Sequence, residues 1–165
     1  MKRNRIITAI LLVIIFAVFA LGSGEGGTDD QGGGNVNANE NEQCNLGSYH
    51  VTIDSCRLAK DYEGKPVVIV KYTFKNVADD DAIAFYLAIS DHVYQNGVGL
   101  NKAYFLADNV DYNSDNYSKE IKKGASIEVE IAYELNDTKT EIEVEIEELF
   151  SFDSKRVKKM FKISG

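Results

Sequence analysis

The chain reads as an all-β protein: an antiparallel, immunoglobulin-like β-sandwich preceded by one N-terminal hydrophobic helix and a disordered tether. Three observations predict this. From Gly47 onward apolar residues recur with a period of two, turn-forming residues interrupt that pattern repeatedly, and no stretch carries an amphipathic helical stripe. Seven or eight short strands of this kind pack as a sandwich, with a small barrel as the alternative.

The helix comes first. Lys2, Arg3 and Arg5 precede an apolar run from Ile6 to Leu21 that only Thr8 interrupts, and small residues (Ala20, Gly22, Ser23) follow it. This is the pattern of a signal peptide or of an uncleaved signal-anchor helix, here assigned to residues 1–21. In either case the basic flank stays in the cytoplasm and the rest is exported or displayed as a single-pass protein. A lipid anchor on a cysteine just after the run is excluded, because the first cysteine is Cys44.

Residues 22–43 form the tether. They are Gly, Asn, Gln and acids with almost nothing apolar, too little to offset the entropy of ordering. A flexible coil of that length reaches about 25 Å. Three of the 18 bases precede the apolar run and none of the 26 acids does, which leaves 15 against 26 and a charge of −11 downstream. Phosphate backbones repel such a surface, so nucleic acid is not a partner.

Residues 44–165 form the domain. Tyr49, Val51 and Ile53 alternate with polar residues, and the apolar parity then shifts to Cys56 and Leu58, which predicts a β-bulge near Asp54-Ser55. Asp61 to Pro66 is a turn, and Pro66 opens a central strand through Val68, Val70, Tyr72 and Phe74. Ala82–Ser90 is apolar on both faces and reads as a strand. Asp91–Asn101 reads as a long irregular loop, Ala103–Ala107 as a short strand, and Tyr117–Ile121 as another. Ile127 to Leu135 and Ile142 to Ile146 alternate with glutamates, and a last strand spans Val157–Ile163.

Four of these stretches carry a resemblance. Ser48–Asn76 (SYHVTIDSCRLAKDYEGKPVVIVKYTFKN), Ala88–Leu100 (AISDHVYQNGVGL), Lys119–Asp137 (KEIKKGASIEVEIAYELND) and Thr140–Phe152 resemble the domain-of-unknown-function family numbered five-thousand-and-sixty-seven. That family belongs to secreted or membrane-attached proteins of Gram-positive bacteria. The strand-turn-strand LAKDYEGKPVVIVKYTFKN and the YQNGV loop are its more specific parts. The resemblance implies an immunoglobulin-like sandwich, similar to that of a secreted mycobacterial antigen family, and an extracytoplasmic address. It brings no activity and no catalytic residues.

Candidate sites are few. Cys44 and Cys56 are the only cysteines, both on the oxidising side of a membrane, and are expected to pair. The loop they close is short, for about 3 kcal/mol at most. Asp111, Asn113 and Asp115 place oxygen ligands at alternate positions, as calcium loops do. Asn116 stands where the template needs Gly, and Lys122 where it needs a bidentate Glu, so a polar turn is favoured over a metal site. Glu128, Glu130 and Glu134, with Glu141, Glu143, Glu145 and Glu147, are expected on one solvent face of two neighbouring strands. Lys155, Lys158, Lys159 and Lys162 would relieve them. Tyr94, Gln95 and Asn96 form the candidate recognition tip of the long loop.

No nucleophile–base set, cofactor motif or phosphate loop can be named, so no enzyme and no cofactor is expected. The sequence predicts a non-enzymatic extracytoplasmic binding domain, held to the membrane by its N-terminal segment or secreted. Its expected partner is another envelope or extracellular protein. A structural spacer is the alternative.

Overall fold

The computed structural model describes residues 44–79, 82–151 and 155–163, together with the backbone of 35–37. The expected helix at 1–21, and the tether apart from 35–37, lie outside the described residues. Within them no helix is long and apolar enough to cross a membrane.

The strands in chain order are β1 (Asn35–Asn37), β2 (Cys44–Leu46), β3 (Tyr49–Lys60), β4 (Pro66–Asn76), β5 (Ile83–Ala84), β6 (Ile89–Gln95), β7 (Val98–Gly99), β8 (Glu120–Ile121), β9 (Ser126–Glu134), β10 (Ile142–Glu148) and β11 (Arg156–Phe161). A single helical turn, α1 (Phe85–Ala88), joins β5 to β6. One sheet has the order β1-β11-β10-β6-β7, the other β2-β3-β4-β9, and β5 pairs with β8. Pairing is antiparallel except at β1, which runs parallel to β11 with Asn35 opposite Arg156. A strand thus lies inside the stretch read as tether.

The core forms where the inward faces of the two sheets meet. Val51, Ile53, Val68, Val70, Tyr72 and Phe74 from one sheet meet Val93, Ile142, Val144, Ile146 and Val157 from the other, and all are buried. Each such side chain contributes roughly 1.5–3 kcal/mol. Phe85 fills the centre, its ring 5.4 Å from Tyr72 and 5.5 Å, edge-on, from Phe74. The bulge falls where the parity shift placed it, between Ile53 and Ser55, and Pro66 opens β4.

Several local expectations are corrected. Ala82–Ser90 is not one strand: it divides into β5, α1 and the start of β6, so that Phe85 and Ala88 face the core from a helical turn. The supposed loop Asp91–Asn101 is mostly a tight hairpin. β6 turns into β7 through Asn96-Gly97, with φ of 54° and 75°, the left-handed pair that a two-residue turn of this hand requires. Ala103–Ala107 makes only one isolated bridge, Leu106 with Asp61, and Tyr117–Ile121 splits between a 3-10 turn (Asp115–Tyr117) and β8.

The glutamate ladder is corrected as well. β9 is an edge of one sheet and β10 the middle of the other, so the two rows lie on different sheets. Each has its own cations. Arg57 meets Glu130 at 2.7 Å and Lys71 meets Glu128 at 2.6 Å; on the other sheet Lys158 joins Glu143 and Glu145, and Arg156 joins Glu147. Lys159 takes no part. Its ammonium turns inward and donates to the carbonyls of Ile53 and Asp54 at the bulge, 2.8 and 3.2 Å away, tying the two sheets together.

Candidate binding surface

The register defines two ends. Tyr49, Asn76, Ser126, Glu148 and Arg156 gather at the base, where β1 also begins; the β3–β4 turn, the β6–β7 turn and the β9–β10 turn gather at the opposite tip.

Gln95 organises that tip. Its side chain is 1% exposed. Its amide nitrogen donates to the carbonyls of Asp137 and Thr140, both at 3.0 Å, while its oxygen accepts from the N–H groups of Asn136 and Asp137. This one amide satisfies four backbone groups of the β9–β10 turn and fastens it to β6. Gln95 is therefore a structural clasp, and of the triplet expected at the tip only Tyr94 and Asn96 reach the surface. Tyr94 and Asn96 line a groove of about 340 Å³ with Gly97, Thr140, Glu143 and Met160.

Residues 100–117 build the rest of the tip by crossing the outer face of β9, β4 and β3. Ala103 donates to Ala132 O at 2.8 Å, Tyr62 to Phe105 O at 3.1 Å and Ala107 to Lys60 O at 3.1 Å. The chain then returns, with Asn113 N–H on Glu130 at 3.1 Å. Ala103, Leu106, Val110 and Tyr112 pack on Val67, Ile69 and Ala132. This explains why β4 is buried on both faces.

A buried polar cluster holds the start of this segment. Lys102 Nζ donates to Asp91 Oδ1 at 3.0 Å and to the Tyr117 hydroxyl at 2.9 Å, and Tyr133 donates to the other Asp91 oxygen. The fully buried Tyr72 hydroxyl lies beside this group without reaching hydrogen-bond geometry. Burial first pushes both Tyr72 and Tyr133 well above the ordinary tyrosine range; the charge of Asp91 comes next for Tyr72, and the Tyr72 hydroxyl and then Asp91 for Tyr133. Their ionised forms are disfavoured in the fold but open to the unfolded chain above pH ~10. Stability is therefore expected to hold below that pH and to fall above it, by about 1.4 kcal/mol per pH unit for each ring. Urea titrations between neutral pH and pH 11 check this, and Tyr72→Phe should reduce the slope.

The segment leaves aromatics outside. Tyr104 is 77%, Phe105 71% and Tyr62 67% exposed. Tyr62 and Phe105 meet edge-to-face with ring centres 6.1 Å apart. These three rings share one shallow surface with Leu106 and Asp108. Sequence reasoning missed them. Tyr62 sat in a turn assigned by composition and Tyr104-Phe105 in a supposed strand, yet two successive aromatics on a strand cannot both face one core.

The other candidates separate. Cys44 stands opposite Val51 and Cys56 opposite Val70, five residues further along β3. That is about 16 Å at the rise of a strand, far beyond a disulfide's Cα span. The expected Cys44–Cys56 bridge is thus not formed, because both residues pair within the same sheet at different heights. Burial raises the Cys56 thiol above its usual range. Asp111, Asn113 and Asp115 are exposed and serve the returning segment: the Asp111 carbonyl accepts from Arg57, and Asp115 starts the 3-10 turn. Among the described residues no three His, Cys, Asp or Glu side chains gather as metal ligands.

Fold and surface together define a β-sandwich with an aromatic tip. The chain belongs to the family described as Domain of unknown function (DUF5067), whose model matches residues 35–148. That match begins at β1 and ends with β10. Two solved structures share the fold. A candidate lipoprotein from Staphylococcus aureus is 19% identical, with a TM-score of 0.54 over 70% of this chain and 83% of that one. A candidate lipoprotein (ycdA) from Bacillus subtilis is 13% identical, with a TM-score of 0.55 over 76% of this chain and 39% of that one. No curated protein matches the sequence.

Proposed function

We propose that this protein is a non-enzymatic extracytoplasmic binding domain that engages another envelope or extracellular protein through its aromatic tip. The observation carrying this reading is the cluster of Tyr62, Tyr104 and Phe105, each more than two-thirds exposed. Rings of this kind supply most of the contact energy at protein interfaces. Asp108 lines the same surface and the Glu63–Lys65 ion pair flanks it on the β3–β4 turn, which suits a partner with an apolar centre and a polar rim.

The address follows from the N-terminal pattern. The two structural neighbours are described as lipoproteins, but this chain has no cysteine before Cys44. Its hold on the membrane is the apolar run Ile6–Leu21 itself, with Lys2, Arg3 and Arg5 on the cytoplasmic side.

Cross-linking the tagged full-length protein in its native envelope tests this, with mass spectrometry of what copurifies. A stoichiometric partner is expected, and the triple change Tyr62→Ser, Tyr104→Ser, Phe105→Ser should weaken it at least about a hundredfold, as loss of two hot-spot rings would. The same change should leave the melting temperature unaltered. No partner above background, or one indifferent to the three rings, would favour a structural spacer instead.

A further inference from the structure

The two sheets do not close along their whole length on the β3 side. β2 covers the far edge of β3 only from Tyr49 to Val51, and β1 covers the far edge of β11 only from Arg156 to Lys158. Beyond those points no strand among the described residues pairs with either edge.

Two contacts plug part of this seam. Lys159 reaches the carbonyls of Ile53 and Asp54, and Ala107 N–H reaches Lys60 O. Between them, Ser55 to Ala59 have ladder partners among the described residues on the β4 side alone. Under this stretch lies a gap of about 290 Å³ lined by Cys56, Arg57, Leu58, Val68, Lys162 and Ile163. Leu58 is 36% exposed although its cross-strand partner Val68 is fully buried. An uncovered sheet edge is ordinarily a liability that proteins block. Here two plugs stop short of each other and leave room for about one short strand.

We propose that this seam is a strand-addition site for an extended peptide segment of a partner protein with alternating apolar and acidic side chains. Backbone groups of the added strand would complete the ladder at Ser55–Ala59, and one apolar side chain would enter the gap over Val68 and Ile163. The acidic preference follows from the rim. Lys162 lines the opening and Lys60 is exposed at the end of the same edge, and neither meets a carboxylate among the described residues, whereas Arg57 is already held by Glu130. This site is separate from the aromatic tip.

Cys56 reports occupancy, because its half-buried side chain lines the gap while Cys44 is only 7% exposed. The experiment measures maleimide labelling of Cys56 on the full-length protein in detergent, with three synthetic octapeptides at about 1 mM, a range suited to short strand contacts. One alternates Val and Asp, one alternates Val and Lys, and one is the first with alternate backbone nitrogens methylated. The Val/Asp peptide is expected to slow labelling about tenfold, as roughly nine-tenths occupancy requires. The other two should have little effect. Lys162→Glu, an exposed change that leaves the core intact, should cancel the Val/Asp effect. Equal protection by all three peptides, protection by none, or slowing that depends only on protein concentration would each overturn the proposal, the last by revealing a second copy in the seam.

Discussion

Asp91→Ala is expected to lower stability by about 2–4 kcal/mol, a large fraction of what a domain of this size has. The carboxylate is 3% exposed and holds Lys102 on one oxygen and Tyr133 on the other. Without it, the Tyr133 hydroxyl is left buried with no charged acceptor and Lys102 faces an empty space. The lower end of the range applies if Lys102, whose side chain is 26% exposed, swings to solvent. Asp91→Asn keeps an acceptor for Tyr133 and loses the charge, for about 1–2 kcal/mol. Urea unfolding at neutral pH measures both. A loss below about 1 kcal/mol for the alanine variant would mean that the cluster is not what fixes residues 100–117 to the sandwich.

Gln95→Ala is expected to cost about 3 kcal/mol, from four backbone hydrogen bonds at a net of roughly 1 kcal/mol each, tempered by water reaching the exposed turn. Its signature is local. Amide exchange at Asn136 and Asp137, whose N–H groups rest on the Gln95 oxygen, should accelerate before the rest of β9 and β10 responds. Gln95→Glu should not rescue it, since a carboxylate cannot donate to the Asp137 and Thr140 carbonyls. Asn96→Ala, one position along, loses only the ease of a left-handed turn and should cost less, about 1 kcal/mol. A Gln95 variant as stable as the parent would return this residue to the recognition surface.

Much of the fold was legible because it depends on neighbours in sequence. The parity shift after Ile53 marks the bulge, Pro66 marks the start of β4, and alternation marks β9 and β10. The Asn96-Gly97 hairpin was legible too, and was passed over. An Asn-Gly pair between Val93 and Val98 is a stronger signal of a two-residue turn than the length of the surrounding polar stretch is of a loop. Ala82–Ser90 was ambiguous in principle. Apolar residues on both faces fit a buried strand and a short buried helix equally well, and only packing around Phe85 selects the helical turn.

The candidate surface was legible only in part. Tyr94 and Asn96 reach a groove at the tip, but Gln95 between them faces inward, since side chains on a strand alternate. Tyr62 and Phe105 are 43 positions apart and meet only because residues 100–117 cross the sheet.

By itself the sequence determined an all-β chain with an acidic surface, a basic-plus-apolar start and the family to which it belongs, because composition and period-two alternation act within a few residues. Which strand lies beside which was decided by tertiary structure alone. β9 and β10 follow each other through a tight turn yet enter different sheets, which separates the two glutamate rows; the β2–β3 register places Cys44 and Cys56 at different heights of one sheet and leaves the β3 edge partly open. Alternation says that a strand has an inside and an outside; the partner across the ladder is chosen by how the whole apolar set can be buried at once.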